Sequence, residues 1–209
     1  MPATYADAAD YYDAMVRNDA WLARHRDTLG TGGVEAFCTF DTGHDLSPRF
    51  WFAPDRCFGG EASRVDPESP VVPVVAPDLT ANVACQRRYL ALMAEELGED
   101  GSAWSTRSDE SYRALWSECW NAEDATFYDR DRDGEHVRVL SDVLLRVWAS
   151  EAGEDEGQRR EGCHRHAEQQ RQYAELERLA ATRAREMDAM VAEIDNVKEQ
   201  LRLEDDPKE

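Results

Sequence analysis

Residues 41–50, which read Asp-Thr-Gly-His-Asp-Leu-Ser-Pro-Arg-Phe, concentrate side chains that can transfer protons. Two carboxylates, Asp41 and Asp45, lie four positions apart, with aromatic residues on both sides of the segment. A carboxylic acid donates a proton best when its pKa is raised, and burial or a neighbouring carboxylate raises it. Arg49 opposes that shift if it contacts Asp45. On residue types alone, aspartates that cap turns remain the simpler explanation of the pattern.

The order of residue types in this segment resembles a known motif. It is similar to the catalytic-acid segment Glu-Ser-Gly-x-Asp-x-Ser-Pro-Arg-aromatic of α-glycosidases built on an (α/α)6 toroid. That group includes the trehalases, the mannosylglycerate hydrolases and the processing α-glucosidases. Asp41 stands here in place of the Glu and Thr42 in place of the Ser. Both replacements keep the functional group, so the resemblance survives them.

Three further segments extend the resemblance from about residue 18 to about residue 148. Residues 18–26 resemble the family's Asp-x-Trp-Leu-x-x-x-Arg helix, and residues 77–82 resemble the start of its next helix. Residues 115–129 are similar to the stretch Leu-Trp-x-Glu-x-x-Gly-Phe-Tyr-Tyr-Asp. The matches occur in the family's order, which makes them stronger together than singly.

The resemblance implies an inverting glycoside hydrolase that cleaves an α-glucoside or an α-mannoside. Asp45 is then the general acid, which protonates the leaving oxygen while a second carboxylate activates water. Asp41, Arg49, Phe50 and Trp51 are the expected substrate-binding residues. The implied partner is therefore a carbohydrate.

The second catalytic carboxylate of the family has no recognisable counterpart in this sequence. At 209 residues the chain is also short for twelve helices, which need about 250 residues with their loops. We therefore expect an incomplete toroid, with the acid half present and the base half absent. Glu35 and Glu61 are the candidates for an unrecognised base. The alternative is a non-catalytic remnant that binds carbohydrate or oligomerises.

The composition restricts the partners and the compartment. A net charge of -20 argues against binding to nucleic acid or to an anionic membrane. Asp and Glu outnumber Lys and Arg by 44 to 24, which favours a halophilic protein over an ordinary acidic one. No signal-like or membrane-spanning segment is evident, and the five cysteines are scattered and odd in number. We predict a cytoplasmic protein with reduced thiols.

Two other clusters contain metal-ligand residue types, but we assign a metal to neither. Residues 129–134 resemble the start of a calcium loop, yet its twelfth position is Leu140 instead of the required Glu. The cluster of Cys163, His164 and His166 lacks a second ligand pair. No glycine-rich phosphate loop is present. The sequence therefore predicts no metal and no cofactor.

Apolar periodicity predicts an all-α protein with helices at about 6–28, 78–97, 103–120 and 139–152. Asp78 is the expected cap of the second helix. The prolines in residues 51–77 make a central strand unlikely there, so we predict an extended loop. The toroid-like domain is assigned to residues 1–152, with a linker at 153–165.

A narrow apolar heptad stripe predicts a long C-terminal coiled-coil helix over residues 166–204, followed by a disordered tail at 205–209. Eight of nine heptad core positions are apolar, and Arg183 is the exception. The alternative is a single amphipathic helix packed on its own domain. A coiled coil implies a homodimer or another helical partner.

Overall fold

The computed structural model describes residues 5–44 and 47–150, and between 171 and 190 the positions 171, 175, 178, 181–185, 187 and 190. Asp45 and Leu46 lie outside the described residues. So do residues 151–170 and 191–209, and with them the linker, the Cys163 cluster and most of the predicted coiled coil. The chain divides into two units, Met1–Cys163 and His164–Glu209. The predicted domain boundaries stay predictions.

Four α-helices account for most of the regular structure in the first unit, which agrees with the expected helix-rich class. They are α1 (Tyr5–His25), α2 (Pro77–Glu96), α3 (Ser102–Ala114) and α4 (Val143–Ala149). A π-helical turn, Leu115–Cys119, continues α3. The predicted helices at 103–120 and 139–152 are therefore too long. The first ends in the π turn and a strand, and the second covers seven residues.

Six two-residue strands were not predicted. A four-stranded antiparallel sheet has the order β1 (Glu35–Ala36), β2 (Val74–Val75), β5 (Asp129–Arg130), β6 (His136–Val137). A separate hairpin pairs β3 (Trp120–Asn121) with β4 (Thr126–Phe127). The prediction that the proline-rich segment contains no central strand was wrong, because β2 lies between β1 and β5. This strand is so short that both neighbouring prolines fall outside its hydrogen-bonded residues.

Small side chains bring α2 and α3 into close contact. Four alanines, Ala81, Ala84, Ala91 and Ala94, lie on the buried face of α2. Gly101 precedes α3, and a Cβ atom at this position would lie 2.5 Å from the backbone oxygen of Ala91. The absence of a side chain at Gly101 therefore sets how closely the two helices approach.

An aromatic cluster fills the core between α3, α4 and the hairpin. Phe127 and Trp148 contact each other and Trp116, with ring centroids 5.0–6.0 Å apart. Trp120 packs on Phe127 at 4.9 Å. Three of these four rings come from residues 115–129, so this segment contributes most of the aromatic core. A second, smaller cluster contains Phe50.

Substitution of Gly101 by Ala should destabilise the domain by about 1–3 kcal/mol, because the new methyl group must push α3 away from the α2 backbone. Urea denaturation followed by circular dichroism measures this loss. Ser105→Ala, at an exposed position of α3, is the matched control and should stay within about 0.5 kcal/mol of the wild type. Equal stabilities of the two variants would contradict the close packing.

Candidate active site

Short turns hold segment 41–50 on both sides of Asp45 and Leu46. A 3-10 turn, Thr39–Thr42, ends at Gly43, whose φ of +70° lies in the left-handed region that favours glycine. A second turn, Pro48–Phe50, begins after Ser47, whose side-chain oxygen accepts a hydrogen bond from the Arg49 amide. Phe50 then enters the core with 1% of its surface exposed.

The guanidinium of Arg49 lies in a buried cluster of charges. Its Nη1 and Nη2 donate to the two carboxylate oxygens of Asp78 at 3.0 and 2.9 Å. Its Nε and Nη2 donate to the two oxygens of Asp129, both at 2.6 Å. Each side chain is at most 2% exposed. Two forked contacts of this kind use every donor nitrogen of the arginine and fix its orientation.

A second arginine completes the cluster. Arg146 of α4 donates from Nη1 to Asp78 at 3.1 Å and to the backbone oxygen of Thr42 at 3.3 Å. Two guanidinium groups therefore face two carboxylates, so the cluster of Arg49, Asp78, Asp129 and Arg146 is neutral overall. We call it the Arg49 cluster. It joins the segment 41–50 to α2, to β5 and to α4.

The two carboxylates of the Arg49 cluster differ in environment. Burial disfavours the charge of Asp78, but hydrogen bonds from Arg49 and Arg146 outweigh it and lower its pKa. Asp129 contacts a single guanidinium, and burial raises its pKa. Asp78 was predicted to cap α2. That prediction was wrong, because no side chain caps this helix and the carboxylate is engaged by the two arginines.

Asp41 has a similar anchoring position. Both of its oxygens accept from the guanidinium of Arg26, at the end of α1, with one contact at 3.0 Å. The carboxylate also accepts from the backbone amides of Phe37 at 2.6 Å and Cys38 at 3.3 Å. These contacts tie the beginning of segment 41–50 to α1.

The four segments that carry the sequence resemblance thus meet through charged pairs. Arg26 comes from residues 18–26, Asp78 from residues 77–82 and Asp129 from residues 115–129, and each contacts a charged residue of segment 41–50. Sequence reasoning found the segments but missed this anchoring. The paired residues lie 15, 29 and 80 positions apart, so no local pattern connects them. The one signal for their pairing was that each lies in a segment that resembles the family.

An open depression of about 520 Å³ lies beside segment 41–50. It is lined by Gly43, His44, Ser47, Pro48, Leu140, Ser141 and Asp142. The first four residues flank Asp45 and Leu46 in sequence. His44 and Asp142 lie next to each other in its lining, with Nδ1 and Oδ1 3.6 Å apart. The depression therefore has polar and apolar walls and is lined by residues next to the predicted acid in sequence.

The predicted substrate-binding residues fall into two classes. Arg49 and Phe50 are buried, and all three guanidinium nitrogens of Arg49 are engaged, so neither residue presents a free surface to a sugar. Asp41 is mostly buried in its pair with Arg26. Trp51 is 73% exposed and is free to stack on a ring. Direct sugar contact by these residues stays a prediction, and Trp51 is the residue whose exposure suits it.

Neither expected candidate for a base lies in the depression. Glu35 is fully buried in β1, and its carboxylate accepts from the Thr28 hydroxyl and the Leu29 amide, both at 2.7 Å. Those bonds close the turn after α1. Glu61 is exposed and pairs with Arg64 at 3.5 Å. Both glutamates therefore have structural or surface positions in the described part of the chain.

Residues 3–190 match the family described as the mannosylglycerate hydrolase MGH1-like glycoside hydrolase domain. The chain belongs to this family. The match covers segment 41–50 and the anchoring residues around it, and it confirms the resemblance drawn from the motifs. No curated protein matches the chain in sequence.

Solved structures of Thermus thermophilus proteins have a fold similar to this glycoside hydrolase domain. A GH63 mannosylglycerate hydrolase in complex with glucose superposes with a TM-score of 0.63 and 19% identity, covering 81% of this chain and 46% of its own. The same enzyme in complex with Tris superposes with a TM-score of 0.62 and 17% identity, covering 81% of this chain and 49% of its own. An uncharacterized conserved protein superposes with a TM-score of 0.58 and 17% identity, covering 74% of this chain and 46% of its own. The chain thus spans about half the length of these structures.

None of the described helices is long and apolar enough to cross a membrane.

Removal of the Arg49 guanidinium should destabilise this glycoside hydrolase domain strongly. Arg49→Ala leaves two carboxylates buried with one fewer cation, and loss of one partner from a buried ion pair typically costs about 3–5 kcal/mol. The free energy of unfolding in urea, at one fixed salt concentration, measures the effect.

Arg138→Ala is the matched control for Arg49→Ala. Its side chain is 54% exposed and pairs with Asp124, and exposed ion pairs contribute little to the free energy of unfolding. If Arg49→Ala cost no more than Arg138→Ala, the Arg49 cluster would not be the anchor that its contacts indicate.

Proposed function

We propose that this chain provides the acid-bearing part of an inverting glycoside hydrolase that acts on α-linked sugars, with Asp45 as the general acid. Membership of the glycoside hydrolase family supports the reaction class. The observation that carries the proposal is the depression beside segment 41–50. The Arg26–Asp41 pair fixes one end of this segment, and the Arg49 cluster fixes the other. A general acid needs such a fixed backbone next to an accessible cleft.

The proposed substrate is an α-mannoside, with an α-glucoside as the second choice. Two structures of similar fold are named as a mannosylglycerate hydrolase, one of them in complex with glucose. Trp51 offers an exposed aromatic face for stacking on a sugar ring. His44 and Asp142, in the wall of the depression, offer polar atoms for hydroxyl groups.

Inverting hydrolysis also requires a base carboxylate about 6.5–9.5 Å from the acid. The sequence has no segment that resembles the family's base segment, and the chain spans about half of the enzymes with similar structures. We therefore propose that the base belongs to helices outside these 209 residues, in the manner of an incomplete (α/α)6 toroid. On this proposal the isolated chain binds sugar and turns it over only when the missing helices are supplied.

The alternative is a remnant without catalytic activity that binds carbohydrate. The same half-length match favours it. Calorimetric titration of the folded chain with mannosylglycerate and trehalose separates the two proposals when it is combined with turnover assays. Binding without turnover under any condition, including addition of the complementary half of a related hydrolase, would favour the remnant.

The role of Asp45 is tested in the chain supplemented with the complementary half of a related hydrolase, by comparing substrates with poor and good leaving groups in concentrated KCl. Asp45→Asn should lower mannosylglycerate hydrolysis about 10²–10⁴-fold, because the leaving oxygen no longer receives a proton. A dinitrophenyl α-mannoside, whose leaving group departs without protonation, should lose far less activity.

Asp133→Asn, at an exposed turn, is the control and should leave both rates unchanged. Equal loss on both substrates in Asp45→Asn would exclude a general-acid role. Full activity in this variant on mannosylglycerate would exclude any catalytic role for Asp45.

We also propose that residues 166–204 form a homodimeric coiled coil. Met187 and Met190, at two of the predicted core positions, are 66% and 62% exposed in the single chain. Light scattering in high salt should give twice the 23.7 kDa chain mass, and Ile194→Asp should return it to one chain. A single-chain mass for the wild type would contradict dimerisation. Halophilic adaptation and a cytoplasmic location remain predictions.

A further inference from the structure

Two free thiols face each other at the base of the loop that contains segment 41–50. The Sγ atoms of Cys38 and Cys57 lie 3.5 Å apart. Cys38 is buried and Cys57 is half-buried. The chain between them, residues 39–56, includes Asp45 and both anchoring turns. The thiol pair therefore lies where the loop leaves the domain and where it returns.

The backbone already holds the two ends of this loop together. The Thr39 amide donates to the Pro54 oxygen at 3.0 Å, and the Thr39 hydroxyl donates to the Asp55 oxygen at 3.3 Å. A disulfide needs the sulfur atoms about 2.05 Å apart, so they must approach by about 1.5 Å. The paired backbone ends keep the two cysteines close together while the thiols are reduced.

A metal ion is the competing occupant of this position. Cys38, Asp41 and Cys57 offer three ligand atoms within 4.8 Å of one another. However, both oxygens of Asp41 are engaged by Arg26, whose Nη2 also lies 3.8 Å from the Cys57 Sγ. A divalent cation would have to bind next to this fixed positive charge, with three protein ligands where a structural zinc site has four. The arginine thus disfavours a metal and leaves the thiols to each other.

We propose that Cys38 and Cys57 form a reversible disulfide that closes the loop 39–56. The oxidant is a small-molecule disulfide of the glutathione class. The Cys57 thiolate attacks one sulfur of that molecule, forming a mixed disulfide and releasing one small thiolate. Cys38 then loses its proton to water and attacks the Cys57 sulfur, which releases the second thiolate. Two protein thiols are oxidised, one small disulfide is reduced to two thiols, and atoms and electrons balance.

The environments of the two cysteines set the order of these steps. Burial, with the charge of Asp41, raises the pKa of the Cys38 thiol to about 12. Cys57 is more exposed and lies beside the Arg26 guanidinium, so it meets the external disulfide first. The second step uses the scarce Cys38 thiolate, and its rate should rise with pH between about 7 and 9. Its proximity to Cys57 compensates for the small thiolate fraction.

The bond can be detected directly by peptide mapping. Folded, reduced protein is equilibrated with glutathione disulfide at about pH 8, where thiolates are populated, then alkylated and digested with trypsin. A disulfide links the peptide of residues 27–49 to that of residues 57–64. We expect this linkage in the wild type and in Cys85→Ser, a matched half-buried thiol, but not in Cys38→Ser or Cys57→Ser.

Oxidation should also raise the melting temperature of the wild type by about 5–10 °C, since it restrains the unfolded chain. In urea-unfolded protein, the same treatment should instead give mixed pairings among the cysteines. These readouts do not depend on glycosidase activity. Any effect of the bond on Asp45 rests on the proposed function, and an inactive but disulfide-linked protein would separate the two proposals.

Three results would overturn the proposal. The first is folded protein that remains fully reduced, or stops at mixed disulfides, after equilibration. The second is preferred pairing of Cys57 with a cysteine other than Cys38. The third is one zinc ion bound per chain at micromolar zinc with both thiols protected from glutathione disulfide, which would identify a metal site.

Discussion

The buried guanidinium of Arg49 joins several elements of the fold. Arg49 is almost completely removed from solvent, so its charge must be matched inside the protein, and Asp78 and Asp129 match it with four hydrogen bonds. The cost of desolvating such groups offsets most of the attraction between them. The main contribution of the Arg49 cluster is therefore to fix the relative positions of the elements it joins. The forked geometry admits one arrangement of the loop, α2 and β5, and Arg146 adds α4 to the same arrangement.

This constraint explains why the segments resembling the family occur together. Segment 41–50 is useful to a hydrolase only if Asp45 is held at a cleft. A loop with two free ends would lose that position, because each ordered residue costs conformational entropy. The Arg26–Asp41 pair fixes one end of the segment, and the Arg49 cluster fixes the other. The Cys38–Cys57 pair lies outside both of these contacts in sequence, at the two ends of the loop 39–56.

The sequence was sufficient for the family and for the long helices. Helix α2 was predicted at 78–97 and lies at Pro77–Glu96, because Pro77 starts it and Gly98 ends it. Local signals of this kind failed for β2, which is two residues long and depends on pairing with distant chain. They also did not reveal the ion pairs of Arg49, since nothing local in the sequence marks an arginine that binds two buried carboxylates. The helix at 103–120 was too long because the π turn at Leu115–Cys119 keeps the apolar spacing while it changes the hydrogen bonding.

A double-mutant cycle between Arg49 and Asp129 tests the central claim most directly. Arg49→Met, Asp129→Asn and the double variant are compared with the wild type by urea denaturation. If the two residues act as one anchor, the double variant should be more stable than the sum of the single effects predicts, by about 1–3 kcal/mol. Single effects that add within about 0.5 kcal/mol would contradict the account, because such additivity is typical of residues that do not interact.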